Sequence, residues 1–93
     1  MTHVAVRLII VGQVQGVGYR FWTVREATRR GLDGWVCNLP DGTVEALIAG
    51  PEADVAGMIA ACRRGPRMAV VTSITEQPAE PPATPGFQQV KVI

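Results

Sequence analysis

Side chains on which metal and nucleophilic chemistry are usually built are scarce in this chain. Its 93 residues include one histidine, His3, and two cysteines, Cys37 and Cys62. A lone histidine near the amino terminus, inside a strand-like run, reads as a solvent-facing strand residue, which excludes His-based triads and most zinc chemistry. The cysteines lack the CxxC spacing of a metal or redox site. A reducing compartment would keep them as thiols, so neither a structural disulfide nor a bound metal or other cofactor is expected.

Charge is equally sparse. Charged residues make up 18% of the chain, nine basic against eight acidic, for a net charge of +1. No global field draws such a chain to nucleic acid or to an anionic membrane, so any anion recognition has to be local. No apolar run approaches the ~20 residues of a membrane span. The opening MTHVAVRLIIVG is too short and too alternating for a signal peptide, and a cytoplasmic protein is expected. Apolar residues, by contrast, make up 47% of the chain. That is enough for one small globular domain, residues 1–93, to bury a core. With no obvious second interface, a monomer is the default.

Against this background one run stands out, GQVQGVGYR, from Gly12 to Arg20. It joins a strand-like segment to a helix-like one, and glycine there lets the backbone take positive φ and lets a ligand approach the amides. Consecutive N–H groups in such a turn form a concave anion site, to which the first turn of a helix adds positive partial charge. An arginine at the helix start supplies a planar fork matched to phosphate or carboxylate oxygens. The run is not a Walker A loop, because no Gly-Lys-Ser/Thr follows. It is not a dinucleotide fingerprint either, because Phe21 stands where a third glycine belongs. From the residues alone the alternatives are a plain Gly-rich turn and an anion cradle closed by Arg20.

The rest of the chain gives the frame. Val4, Val6, Leu8 and Ile10 alternate with Ala5, Arg7 and Ile9, which predicts a strand over 3–12. Residues 21–30 predict a helix with Phe21, Val24, Ala27 and Thr28 on one side, and Gly31 as its C-cap. Residues 33–49 predict a hairpin turning at Pro40-Asp41-Gly42. Pro51 opens a second helix whose core stripe is Val55, Met58, Ile59 and Cys62, and Gly65-Pro66 stops it. A strand is predicted over 68–76, an extended exposed Pro-rich loop over 78–86, and a short final strand over 87–93. The order is β-α-β-β-α-β with a short fifth strand. The expected fold is an α+β ferredoxin-like sandwich, an antiparallel sheet with two helices on one face. That fold hosts many functions.

Asn38 is the second candidate after Arg20. It ends a strand just before the turn, and its amide offers two donors and an acceptor, enough to hold a water and a substrate oxygen together. Asn also commonly opens turns. The topology places the exits of the first two strands on one rim, so Arg20 and Asn38 are expected to face one pocket. Asp41 and Glu45 read as a solvated face and Trp35 as packing. RNA-binding sheets of this fold carry paired aromatics on central strands. VAVRLIIV and MAVVTSIT have none. No side chain looks like a general base or nucleophile, so catalysis would rest on positioning and electrostatics.

These motifs together resemble the acylphosphatases, small stand-alone enzymes. GQVQGVGYR, GLDGWVCNLPDGTVEALIAG and CRRGPRMAVV carry the likeness in order and at family spacing, from about Val6 to Val71. The resemblance implies metal-independent hydrolysis of the carboxyl–phosphate bond of acyl phosphates to carboxylate and inorganic phosphate. By similarity, the loop of Gln15, Gly16, Val17, Gly18 and Tyr19 holds the phosphate through its amides together with Arg20. Asn38 orients the attacking water, and the substrate's own phosphate accepts the proton. Gly18-Tyr19 departs from the paired aromatics or Gly-Phe of many members, and Cys37 stands where a polar residue is frequent. A non-catalytic ligand-binding or regulatory domain of the same fold is one alternative. The other is a module of a larger carbamoyl-transfer maturation protein.

Overall fold

The computed structural model describes residues 2–91. Its elements run β1 (His3–Gln13), α1 (Tyr19–Arg29), β2 (Asp33–Asn38), β3 (Val44–Pro51), α2 (Glu52–Arg64), β4 (Val70–Pro78) and β5 (Phe87–Gln89). The sheet order is β4-β1-β3-β2-β5. β1 pairs antiparallel with both β3 and β4, and β2 with β3. The α+β sandwich expected from the pattern is therefore the observed architecture. No helix among the described residues is long and apolar enough to cross a membrane.

Side-chain alternation assigns the two faces of the sheet. Leu8, Ile10, Val36, Val44, Ala46 and Ile48 form one core with Val55, Met58, Ile59 and Cys62 of α2 and with Tyr19 and Ala27 of α1. Ala5, Leu47 and Ala49 form a smaller cluster on the other face, with Trp35 and Ala79 against it. Trp35 is thus a packing residue, as its place in the strand suggested.

Three details differ from the pattern. First, α1 begins at Tyr19, two residues early, and its buried face is Tyr19, Thr23 and Ala27, an i, i+4 stripe. Phe21, placed by periodicity on one side with Val24, Ala27 and Thr28, is instead 61% exposed. At its other end α1 closes in a Schellman motif. Leu32 N–H donates to Ala27 O at 2.9 Å and Gly31 N–H to Thr28 O at 3.0 Å, so the Gly31 cap stands. Second, β3 runs through Pro51 straight into α2. Pro51 is extended, at φ −58° and ψ 139°, and precedes the helix instead of opening it.

Third, β5 lies parallel to β2, so the expected antiparallel order holds for four strands and the fifth departs from it. The reason is where β4 ends. Pro78 pairs with Val6 near the start of β1, at one edge of the sheet. β5 begins beside Gly34, near the start of β2, at the other edge. Four inter-strand gaps of ~4.8 Å make about 19 Å to cross. Eight extended residues reach about 26 Å. The Pro-rich segment 79–86 makes that crossing, tied by Ala79 N–H to Ala5 O (3.0 Å) and by Gly86 N–H to Asp33 Oδ1 (2.8 Å). Residues 92 and 93 of the expected final strand lie outside the described residues.

Candidate active site

β1 and β2 both pair antiparallel with β3, so they run in the same direction and exit on one rim of the sheet. The β1–β4 register shifts just before β1 exits. Val11 pairs with Ser73 but Gly12 with Val71, so Thr72 is an extra residue in β4, a β-bulge. Gly12 is required at this bulge. A Cβ there would lie 2.0 Å from Val70 O.

Beyond Gln13 the chain enters the glycine loop. Val14 is buried in the main core and Val17 packs half-buried against it, which holds the loop at both ends of its curl. Gly16 and Gly18 take φ of +75° and +81° with open space where a Cβ would point. Backbone handedness, not crowding, therefore demands glycine at both. Gly18 is the N-cap of α1 and offers no side chain, so no side-chain oxygen caps the helix start. The N–H groups of that first turn are available to an anion, and they carry the positive end of the helix dipole.

Arg20 follows on the first turn of α1, solvent-exposed. Among the described residues Arg7, Arg29, Arg30 and Arg63 are ion-paired; Arg20 is not. Gly16, Gly18, Tyr19 and Arg20 line a hollow of about 130 Å³, completed by Val14, Phe21 and Gln89 of β5. Larger hollows lie elsewhere. One of about 420 Å³ sits under the Pro-rich crossing, at the opposite end of the sheet, with no arginine in its lining. Another of about 490 Å³ lies along α1 and carries Arg29, which is paired with Glu26, and Arg25, which lies over the Phe21 ring in mid-helix, away from the helix terminus and the glycine loop. Chemistry, not volume, picks out the smallest of the three: unpaired guanidinium, helix terminus and glycine backbone converge only there.

Tyr19 belongs to the loop by sequence, but its side chain belongs to the core. The hydroxyl donates to Cys62 O at 2.6 Å, and the ring packs tilted against Trp22 with centroids 5.5 Å apart. Burial, with Cys62 beside it, holds the phenol well above its usual pKa. The departure from the family pattern at Gly18-Tyr19 thus becomes a brace from the first turn of α1 to the last turns of α2.

Gln15 is the residue whose role sequence reasoning understated. Its side-chain Nε2 donates to Leu39 O at 2.9 Å and to Thr43 O at 2.8 Å. These two carbonyls belong to the β2–β3 turn, which is closed by Leu39 N–H to Thr43 O (2.9 Å) and Gly42 N–H to Leu39 O (3.1 Å). Asp41 Oδ1 accepts from Thr43 N–H at 3.0 Å and from its hydroxyl at 2.6 Å, an Asx turn that holds the Asp41 carboxyl below the usual range.

Asn38 lies at the base of that turn, directly opposite Val44. It is two residues from Val36, so it faces the helix side of the sheet, the side of the glycine loop. Its Oδ1 is buried and has no partner among the described residues. It is not among the residues lining the 130 Å³ hollow. Its neighbour Cys37, on the other face, is a buried thiol whose pKa is pushed up by burial and by Glu45; the positive charge of Arg20 opposes this. No cluster of three or more His, Cys, Asp or Glu suited to a cation occurs among the described residues. Gln89 at the hollow's edge was invisible to pattern reading, because β5 reaches it only through the crossing.

The fold and the loop together define an α+β sandwich of the ferredoxin-like class with an anion-suited rim. Residues 6–89 match the acylphosphatase family model, and the chain belongs to the acylphosphatase family. It is 56% identical to an acylphosphatase of Acidiphilium cryptum over 90% of this chain and 92% of that one. It is 48% identical to one from Nitrobacter hamburgensis over the full length of both. Among solved structures, the acylphosphatase from Bacillus subtilis superposes with a TM-score of 0.88 at 36% identity, covering 94% of this chain and 98% of that one. The T. kodakarensis HypF superposes with a TM-score of 0.83 at 28% identity, but this chain spans only 12% of it. The chain is an enzyme of that family and hydrolyses acyl phosphates; family membership sets aside the non-catalytic alternative.

Proposed function

We propose that the glycine loop, Arg20 and Asn38 are the working parts of this hydrolysis and that it needs no metal. The amides of Gln15 to Tyr19 and the Arg20 guanidinium hold the phosphoryl group, and Asn38 orients the water. The observation that carries this reading is the unpaired Arg20 on the first turn of α1, facing a hollow walled by Gly16 and Gly18. The water oxygen attacks phosphorus, and the bond from phosphorus to the acyl oxygen breaks. The carboxylate leaves with the bonding pair, and both water protons remain on the phosphate as dihydrogen phosphate. The carboxylate is a good leaving group and the transfer is loose, so charge neutralisation and placement are most of the task. That suits a rim with no side chain placed as a base.

Arg20→Ala is expected to lower kcat/KM by about 10²–10³-fold, the scale for one preorganised electrostatic donor, and to weaken inhibition by inorganic phosphate alongside. Steady-state assays with acetyl phosphate measure both. Wild-type turnover in the variant would end the assignment, and activity abolished by EDTA would end the metal-free mechanism. The reading also takes residues 1–93 as one domain that acts as a monomer in the cytoplasm. Two buried free thiols suit a reducing compartment.

A further inference from the structure

We propose that Gln15 is a positioning residue: its side chain sets the distance between the phosphate loop and the water-orienting Asn38. The inference rests on the reading of those two elements as halves of one site. Its own basis is the paired hydrogen bond from Nε2 to Leu39 O and Thr43 O, at 2.9 and 2.8 Å. Leu39 follows Asn38 and Thr43 precedes Val44, and Asn38 and Val44 are the last cross-strand pair of β2 and β3. One amide group therefore grips the two residues that flank the Asn38–Val44 pair. Both of its N–H bonds are committed to that grip, so no Gln15 side-chain donor is left for a phosphoryl oxygen.

The other side of the tie is equally fixed. Val14, immediately before Gln15, is buried in the core, and Gly16, immediately after, is the first positive-φ residue of the cradle. Movement of the turn against the loop has to stretch the bonds of this one side chain. The gripped carbonyls do not depend on Gln15 for their own hydrogen bonding. Leu39 O also accepts from Gly42 N–H, and Thr43 O from Leu39 N–H. Removing the Gln15 donors therefore leaves the turn closed and frees it from the loop.

Gln15→Met keeps the length of the side chain and deletes both donors. It is expected to lower kcat by roughly 10–100-fold, the effect of about 1 Å of misplacement at a reacting centre, and to leave the inhibition constant of inorganic phosphate nearly unchanged. Gln15→Asn keeps the amide on a stem one methylene shorter and serves if the methionine variant does not fold. It reaches one carbonyl at most and should show the same split at smaller amplitude. Unchanged kcat in a folded variant overturns the proposal. A parallel loss of phosphate affinity also overturns it, because the side chain would then be a ligand. Failure of the unaltered enzyme to turn over acyl phosphate, in the same assay, would instead indict the reading of the site itself.

Discussion

Asn38 carries a buried amide oxygen with no partner among the described residues, and an unsatisfied acceptor of this kind costs about 1–3 kcal/mol. A residue kept for stability alone would not be left in that state, whereas one kept to hold a water would. Asn38→Ala is therefore expected to cut turnover on the order of 10²-fold, to leave inorganic phosphate binding mostly intact, and to match or exceed the wild type in stability by up to about 1 kcal/mol. Urea unfolding and phosphate inhibition measure the last two. A stability loss with full activity would make Asn38 an ordinary turn residue. Arg20 is the complementary case: an exposed, unpaired cation whose removal should cost rate and affinity while the fold tolerates it.

At the scale of elements, two kinds of glycine shape the loop that leads into Arg20. Gly16 and Gly18 need positive φ in open space, so alanine at either should cost about 1–2 kcal/mol through the backbone alone. Gly12 needs proximity as well. Its Cβ would lie 2.0 Å from Val70 O and 2.9 Å from Thr72 N, and the bulge between β1 and β4 would have to open. Gly12→Ala is expected to destabilise more than Gly18→Ala, as read from urea midpoints at unchanged slope. The reverse order would mean that the bulge is slack. The helices hold the same rim from behind. Tyr19 ties the start of α1 to Cys62 O near the end of α2.

At the scale of the whole molecule, the Pro-rich crossing decides whether the sheet has a fifth strand. Its eight residues exceed the ~19 Å width by a small margin. Deleting residues 81–84 leaves a tether of about 13 Å, too short for the span. β5 is then expected to leave β2, with rapid amide exchange at Val90, whose N–H otherwise donates to Val36 O at 2.9 Å. Slow exchange at Val90 in the deletion variant would show that β5 docks by another route. Loss of β5 would also strip Gln89 from the hollow beside Arg20.

The order of elements was written locally, in period-2 and period-3.6 patterns, and the glycine loop and the candidates Arg20 and Asn38 stood out through residue type and backbone freedom; such signals survive in one dimension. Phe21 was misplaced because its helix starts two residues before the first periodic apolar residue, and a two-residue shift turns the buried stripe onto Tyr19, Thr23 and Ala27. The parallel seating of β5, the grip of Gln15 on the Leu39 and Thr43 carbonyls and the brace from Tyr19 to Cys62 join residues 24 to 53 positions apart. Only the folded chain brings such partners within hydrogen-bond range, so no local pattern encodes them.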